Sequence, residues 1–297
     1  MSNEHYDFQS LRLLHRGKVR DIWEAGKDHL LIFTTDRVSV FDNVLPVLIP
    51  GRGAILTEIT KWWCDRTDWI IPNHISRATL SLDEVLPNAG GRPNACRACQ
   101  IVRRYTPLPI EAIVRGYLYG SAWMEYSNLG TINGNPYPEG FLKAHRFNYP
   151  IFTPTTKEKE GTHDLPLTKQ AFKDKVGRDV ANRIEDASLS LYEVAHRHLA
   201  TKGFIMADTK FEFALDEDGQ LVLIDEVLTP DGSRIWDMQS YAPGKNQKSY
   251  DKQIVRDYIS GYIGSRKYEE VKEIPLPQEV IDQTIQSYQK VLTALVK

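Results

Sequence analysis

Residues 205–227 read IMADTKFEFALDEDGQLVLIDEV, and the way this stretch pairs with itself decides much of the fold. Two β-prone runs flank Asp216, Glu217, Asp218 and Gly219, and glycine supplies the left-handed backbone that such loops usually need. The spacing predicts a β-hairpin over 204–227 in which Leu215 pairs with Gln220. Lys210 then lies opposite Asp225, and Glu212 opposite Leu223. Side chains alternate along a strand, so Asp208, Lys210, Glu212 and Asp225 would share one face, with Phe211, Phe213, Val222 and Ile224 on the other. Three carboxylates and a lysine together suit a Mg²⁺–phosphate site. Mg²⁺ takes few carboxylates plus phosphate oxygens and water, and a lysine neutralises an anion in transfer. The same pattern also suits a solvated face with cross-strand ion pairs. A register change of one residue would scramble the arrangement.

Just beyond the hairpin, TPDGSR (229–234) is a turn that presents Asp231, Ser233 and Arg234. It reads either as a tight Pro-Asp-Gly turn or as a phosphate grip, the arginine bidentate and the serine hydroxyl beside it. Two further basic elements are candidates: GKVRD (17–21), with Lys18 and Arg20, and Arg115-Gly116 followed by Ser121. Neither a Walker A motif nor G-x-G-x-x-G occurs, which excludes the P-loop and Rossmann readings.

Working outward, short β-prone runs at 11–15, 19–23 and 30–34 precede a helical spacing over 51–65 and strands at 99–105 and 110–115. A short helix is expected over 121–129. Residues 130–164, rich in Gly, Pro, Asn and Thr, read as one long functional loop. A long amphipathic helical region spans 168–202 and stops at Gly203; helices return at 249–263 and 277–296. The fold class is therefore α+β: a β-rich N-terminal lobe with an antiparallel sheet (1–110) packed on a larger α+β C-terminal lobe (111–297). Trp62, Trp63 and Trp69 are expected in the core, and His196 and His198 at the surface or partly buried.

The 297 residues are 41% hydrophobic and 26% charged, an ordinary globular balance, with net charge −2. That argues against a nucleic-acid binder, which needs clustered excess Lys and Arg. Apolar runs are strand-sized, far short of the roughly 20 residues of a membrane span. The polar N-terminus resembles no leader, and the cytoplasm is the expected location. Cys64, Cys96 and Cys99 form no disulfide framework, and the C-x-x-C at 96–99 lacks a second pair for zinc.

Taken together, GKVRD (17–21), TDRVSVFD (35–42), EAIVRGYLYGSAWMEY (111–126), FTPTTKEKEGTHD (152–164), ADTKFEF (207–213), DEVLTPDGSRIWD (225–237) and SYDKQIVRDY (249–258) resemble one family. It is phosphoribosylaminoimidazole-succinocarboxamide synthase, or SAICAR synthetase, in its longer form. The resemblance implies an ATP cleft between the lobes. It also implies an ATP-dependent ligation of a carboxyaminoimidazole ribonucleotide (CAIR) to L-aspartate in purine synthesis, by an acyl-phosphate route. Its cofactors would be ATP and Mg²⁺, its partners small molecules only, and the chain a monomer or homodimer. Carried over by position, Lys18, Val19 and Arg20 would line the ATP phosphates, and Glu212 and Asp225 would hold Mg²⁺. Lys210 would approach the transferring phosphoryl group or the substrate carboxylate, with Asp231 and Arg234 also catalytic. Arg115, Ser121, Ser233 and Arg234 would bind the ribonucleotide, and Asp36 and Ser39 would touch substrate. The loop 152–164, with Thr155, Thr156, Lys157 and His163, would close over the site and exclude water. A small-molecule kinase built on the same ATP and Mg²⁺ apparatus and a non-catalytic nucleotide-binding regulator are the alternatives.

Overall fold

The computed structural model describes residue 8 and residues 10–87, 96–158, 164–263, 271 and 274–297. The first three strands, β1 (Leu13–Arg16), β2 (Arg20–Glu24) and β3 (His29–Thr34), form an antiparallel meander. A separate ribbon of β4 (Arg37–Val40) and β5 (Asn43–Leu48) follows, then helices α1 (Arg52–Thr67) and α2 (Leu82–Val85). Strand β6 (Cys99–Arg103) returns to complete the order β1-β2-β3-β6. Alternation puts Trp23, Leu31, Phe33, Cys99 and Ile101 on one face, beneath Phe8 and Ala54. Arg20 projects from the other face, toward the rest of the chain.

The second sheet is built on β7 (Ile110–Tyr117). Helix α3 (Gly120–Leu129) leads to a small hairpin, β8 (Thr131–Ile132) with β9 (Asn135–Pro136). Strands β10 (Arg146–Phe152) and β11 (Thr155–Thr156) then both pair with β7. After α4 (Lys169–Val176) and α5 (Arg178–Thr201) come the long β12 (Phe204–Leu215), β13 (Leu221–Ile224) and β14 (Ser233–Asp237). The order is β10-β7-β12-β13, with β14 also on β12. Helices α6 (Gln253–Ile263) and α7 (Gln278–Val296) close the chain. The main core joins Ile59 and Trp63 of α1, Leu191 and Leu199 of α5, Phe211 and Phe213 of β12 and Leu292 of α7. No helix among the described residues is long and apolar enough to cross a membrane.

A short segment stitches the two sheets together. Leu223 N donates to Pro72 O at 2.9 Å, His74 N to Leu223 O at 2.9 Å, and Arg103 N to His74 O at 2.8 Å. The chain at 72–74 therefore bridges the edge of β13 to the end of β6.

The hairpin forms where expected, but one residue out of register. Leu215 pairs with Leu221, and Glu212 with Ile224. The cause is local: Asp216 Oδ1 accepts from Asp218 N at 3.0 Å and Gln220 N at 2.8 Å, and Gly219 takes φ +73°. Asp216 and Gln220 thus close a three-residue loop. Val222 and Ile224 move to the face of Lys210 and Glu212, beside Ala214, while Leu221 and Leu223 join Phe211 and Phe213 in the core. Continued as a strand, Asp225 would also turn into the core. It does not, because β13 ends at Ile224 and Asp225 takes φ +66°, a left-handed conformation that re-aims its carboxylate.

Three other expectations are corrected. Residues 130–158 are not one loop, since β8 to β11 lie there. They are short or irregular, with β10 breaking register between Arg146 and Ile151, so no period shows in the sequence. The helical region after Thr168 is two helices, parted at Gly177, where φ is +85°. Trp63 is buried and Trp62 packs against the core, but Trp69 is 76% exposed, its Nε1 donating to Arg66 O.

Candidate active site

Strand β12 carries the site along one face. Part-way along it, Asp208 Oδ2 lies 3.3 Å from Arg115 Nη1 of β7 and 2.6 Å from Arg234 Nη1 of β14, so one buried carboxylate sits between two arginines. Arg115 is further fixed by Thr153, whose Oγ1 accepts from Nε at 2.9 Å, and by Ser121, whose Oγ accepts from Nη2 at 3.2 Å. Arg234 lies over the ring of Tyr119, 5.6 Å from its centroid. Gly120 is required beside it: φ is +60°, and a Cβ there would stand 2.5 Å from Arg234 Nη2. Two guanidiniums against one aspartate leave an excess positive charge suited to a phosphate or carboxylate.

Two and four residues along, Lys210 and Glu212 occupy the same face. Lys210 Nζ is 2.6 Å from Glu111 Oε1 and 3.5 Å from Glu212 Oε1, and Lys157 contacts Glu212 Oε2. Burial, and then the nearby Asp225, push the Glu212 carboxyl above the usual range. Burial works against the charge on Lys210, but Glu111 and Glu212 outweigh it and hold its pKa well above normal. Across the gap between the sheets, Arg20 binds Asp225 through Nη1 and lies 2.7 Å from Glu226 Oε1 through Nη2. Burial pushes the Asp225 carboxyl up, yet Arg20 and Lys210 outweigh it and hold the group ionised far below the usual range.

The GKVRD turn is pinned by Arg37, which the sequence reading had not singled out. Its Nη2 donates to Gly17 O at 2.9 Å and to Asp21 Oδ1 at 2.6 Å, and its Nε to Lys18 O at 3.1 Å. The Val19 carbonyl accepts from Thr35 N, and Lys18 Nζ lies 2.7 Å from Asp42.

Other candidates have structural partners. Asp36 is buried and accepts from Gly51 N and Gly53 N, fixing the start of α1. Ser39 lies on the β4–β5 ribbon opposite Val44. Ser233 is buried and shares a 2.8 Å hydrogen bond with Thr209. Asp231 is buried between Arg52 Nη2 at 2.7 Å, Lys252 Nζ at 2.9 Å and the Tyr288 hydroxyl at 2.8 Å. His163 lies outside the described residues.

Several partners went unread in the sequence: Glu111, Glu226, Arg52, Lys252 and Tyr288. Arg52 alone had a signal, because a cation in the first turn of a helix opposes the macrodipole and must be held by something else.

Among the described residues no three Asp, Glu, His or Cys side chains converge as a metal cage. Glu212 and Asp225, hard oxygen donors close enough for Asp225 to raise the Glu212 pKa, would fit a Mg²⁺ ion that completes its shell with phosphate oxygens and water.

The sequence profile of the SAICAR synthetase family matches residues 13–274. The chain belongs to that family. It is 44% identical over 289 residues to the phosphoribosylaminoimidazole-succinocarboxamide synthase of Thioalkalivibrio sulfidiphilus, covering 96% of this chain and 95% of that one. The Nitrosomonas europaea synthase is 46% identical over 281 residues, covering 94% and 93%. The SAICAR synthase of Saccharomyces cerevisiae, solved in complex with SAICAR, superposes with a TM-score of 0.85 at 33% identity, covering 99% of this chain and 98% of that one. The mixed architecture of antiparallel sheets and helices is that of the family. The chain is thus an ATP-dependent ligase that joins CAIR to L-aspartate in purine biosynthesis, with ATP and Mg²⁺ as its cofactors. Membership decides against a kinase that would stop at phosphoryl transfer.

Proposed function

We propose that the two charge clusters on β12 divide the reaction between them. ATP lies in the gap between the N-terminal sheet and the β12–β13 hairpin. Ala214, Val222 and Ile224 offer the base an apolar floor, and Lys18, the Val19 segment and Arg20 approach the phosphates. Glu212 and Asp225 hold Mg²⁺, which neutralises phosphate charge when bound. Lys210 faces the transferring group and balances the charge that develops there. CAIR lies next to it, its phosphate and carboxylate gripped by Arg115, Ser121 and Arg234.

The observation that carries this reading is Asp208 between Arg115 and Arg234, one turn of the pleat away from Lys210 and Glu212. Two arginines beside the lysine and carboxylate of the same strand face support an anion grip next to a phosphoryl-transfer site. Transfer between two held anions needs alignment and charge neutralisation more than a protein nucleophile. Asp231, enclosed by Arg52, Lys252 and Tyr288, positions the loop that leads into Arg234. Asp36 and Ser233, whose polar groups are taken up inside the fold, support the site in the same way. Ser39 approaches it from the ribbon.

In the same reading, residues 1–110 supply the nucleotide phosphate contacts and 111–297 the substrate site, although α1 packs into the core of the second part. The chain acts in the cytoplasm on small molecules alone, as a monomer or homodimer. ADP release with ATP, Mg²⁺ and CAIR, measured with and without L-aspartate and with product mass, tests the ligation. Aspartate-dependent ADP release with a succinocarboxamide product is expected. In the same assay, Arg115→Met and Arg234→Met raise the KM for CAIR far more than that for ATP. Equal effects on both would remove the proposed division.

A further inference from the structure

Lys157 is not part of the β12 strand, yet its ammonium contacts Glu212, one of the two proposed metal ligands. Strand β11 lies on the edge of β7 with Thr155 opposite Glu111. Phe211 lies opposite Ala112 in the β7–β12 pair, so the same register carries Glu212 alongside Glu111. Thr155, Glu111 and Glu212 form a row across three strands, and Lys157, two residues beyond Thr155, shares their face. The two oxygens of Glu212 are consequently divided between two lysines: Oε1 lies 3.5 Å from Lys210, and Oε2 is in contact with Lys157.

The lysines differ in standing. Lys210 sits on the central strand, with Glu111 as its nearer partner at 2.6 Å. The Lys157 side chain is 34% exposed and enters from an edge. Glu212 itself is buried, and an ionised buried carboxylate is costly to leave without a close counter-charge.

We propose that Lys157 is a positioning residue that stands in for the metal on Glu212 and passes to the nucleotide phosphates when the metal–nucleotide complex binds. This rests on the assignment of Glu212 and Asp225 as metal ligands. An ion bound at Glu212 Oε2 takes the place of the ammonium, and like charges then drive Lys157 off. It cannot go far. Thr156 N donates to Leu165 O at 2.9 Å and Leu165 N to Thr156 Oγ1 at 3.0 Å, which hold the strand beside the site. Phosphate oxygens brought by the nucleotide are the new partner within reach. Glu212 is compensated in both states. Metal alone therefore binds weakly, since it displaces a cation without giving it a new anion, and metal with nucleotide binds well.

The test compares the wild type with Lys157→Met and Lys157→Arg. Mn²⁺ alone is titrated by the electron paramagnetic resonance of the free ion, and Mg²⁺–ADP by calorimetry. Lys157→Met is expected to bind Mn²⁺ alone about fivefold more tightly and Mg²⁺–ADP about fivefold more weakly, the size of a good partly exposed ion pair. Lys157→Arg stays near the wild type in both. Opposite signs are the signature, because a merely structural defect weakens both. Unchanged or weakened Mn²⁺ binding in Lys157→Met, while Glu212→Gln abolishes it in the wild-type background, overturns the role of Lys157 and leaves the metal site standing. Mn²⁺ binding that survives both Glu212→Gln and Asp225→Asn removes the metal site, and the proposal with it.

Discussion

Arg20, on β2, binds Asp225, 205 residues away in sequence, and the adjacent Glu226 with one guanidinium. The contact ties the N-terminal sheet to the end of β13, where the chain has left the strand through the positive φ of Asp225. Only a planar fork reaches two adjacent carboxylates in this way.

Arg20→Lys should therefore keep the charge and lose the fork. An ammonium satisfies one of the two acids, so Asp225 is held less firmly in the orientation that metal binding needs. The expected outcome is a rise of about tenfold in the KM for ATP with a smaller change in the KM for CAIR, seen in initial-rate kinetics at saturating Mg²⁺.

Asp225→Asn tests the metal ligand itself. The amide keeps the shape, and the left-handed backbone tolerates asparagine, so the fold should hold, with a lower thermal midpoint because Arg20 loses one of its two carboxylates and keeps Glu226. A neutral amide binds Mg²⁺ poorly, and kcat should fall by about a hundredfold or more. Near-normal turnover at saturating Mg²⁺ would remove Asp225 from the metal shell.

Much of this was legible in the chain, for identifiable reasons. The hairpin announced itself through Gly219 and two β-prone runs, and alternation placed Asp208, Lys210 and Glu212 together, as observed. The register was misjudged by one, because it depends on the two N–H bonds taken by Asp216, and no hydrophobic pattern encodes those. Asp225 reached the site by a different route, a backbone twist rather than strand alternation. Arg52 and Tyr288 stayed hidden because their partner is 179 and 57 residues away respectively, taking Asp231 as the common centre. The first-turn position of Arg52 says that it needs an anion, but long-range pairs of this kind leave no local trace of which one. Strands β8 to β11 were missed for the opposite reason: they are too short for a period to appear.

His74 gives the protein a pH dependence of its own. It lies in the stitch between the sheets, and burial pulls its pKa down from 6.5 to about 4. The unfolded chain then binds more protons than the folded one between those two values, so stability rises with pH through that window and levels off above it. Between pH 5 and pH 7 the gain is about 2 kcal/mol, at 1.36 kcal/mol per pKa unit. Denaturant titrations at the two pH values should show it, and His74→Gln should flatten the difference.

Gly120→Ala tests the grip on the ribonucleotide without touching a charge. The new methyl would stand 2.5 Å from Arg234 Nη2 at a backbone angle that disfavours any side chain. Arg234 must swing away from Asp208 to admit it. A KM for CAIR raised by about tenfold is expected, with the KM for ATP nearly constant and a stability loss of about 1 kcal/mol. Should both KM values stay at the wild-type level, Arg234 is not a ribonucleotide contact.

The network around Asp231 should contribute to the stability of the fold in acid. Burial pushes the carboxyl up, but Arg52 and Lys252 outweigh it and hold it well below the usual carboxylate range. A depressed pKa contributes stability above the unfolded value of about 4, and that contribution is lost as pH falls below it toward the folded value. Asp231→Asn removes the term and leaves Arg52, which is fully buried, facing an amide. A loss of about 3–5 kcal/mol at pH 7 is expected, together with a flatter acid limb in unfolding midpoints below pH 4. Tyr288→Phe takes away one neutral donor from Asp231 and leaves both cations in place, so it should cost about 1 kcal/mol and keep the acid limb. If the two variants proved equally destabilised, the hydroxyl and not the ion pair would be what holds the loop before Arg234.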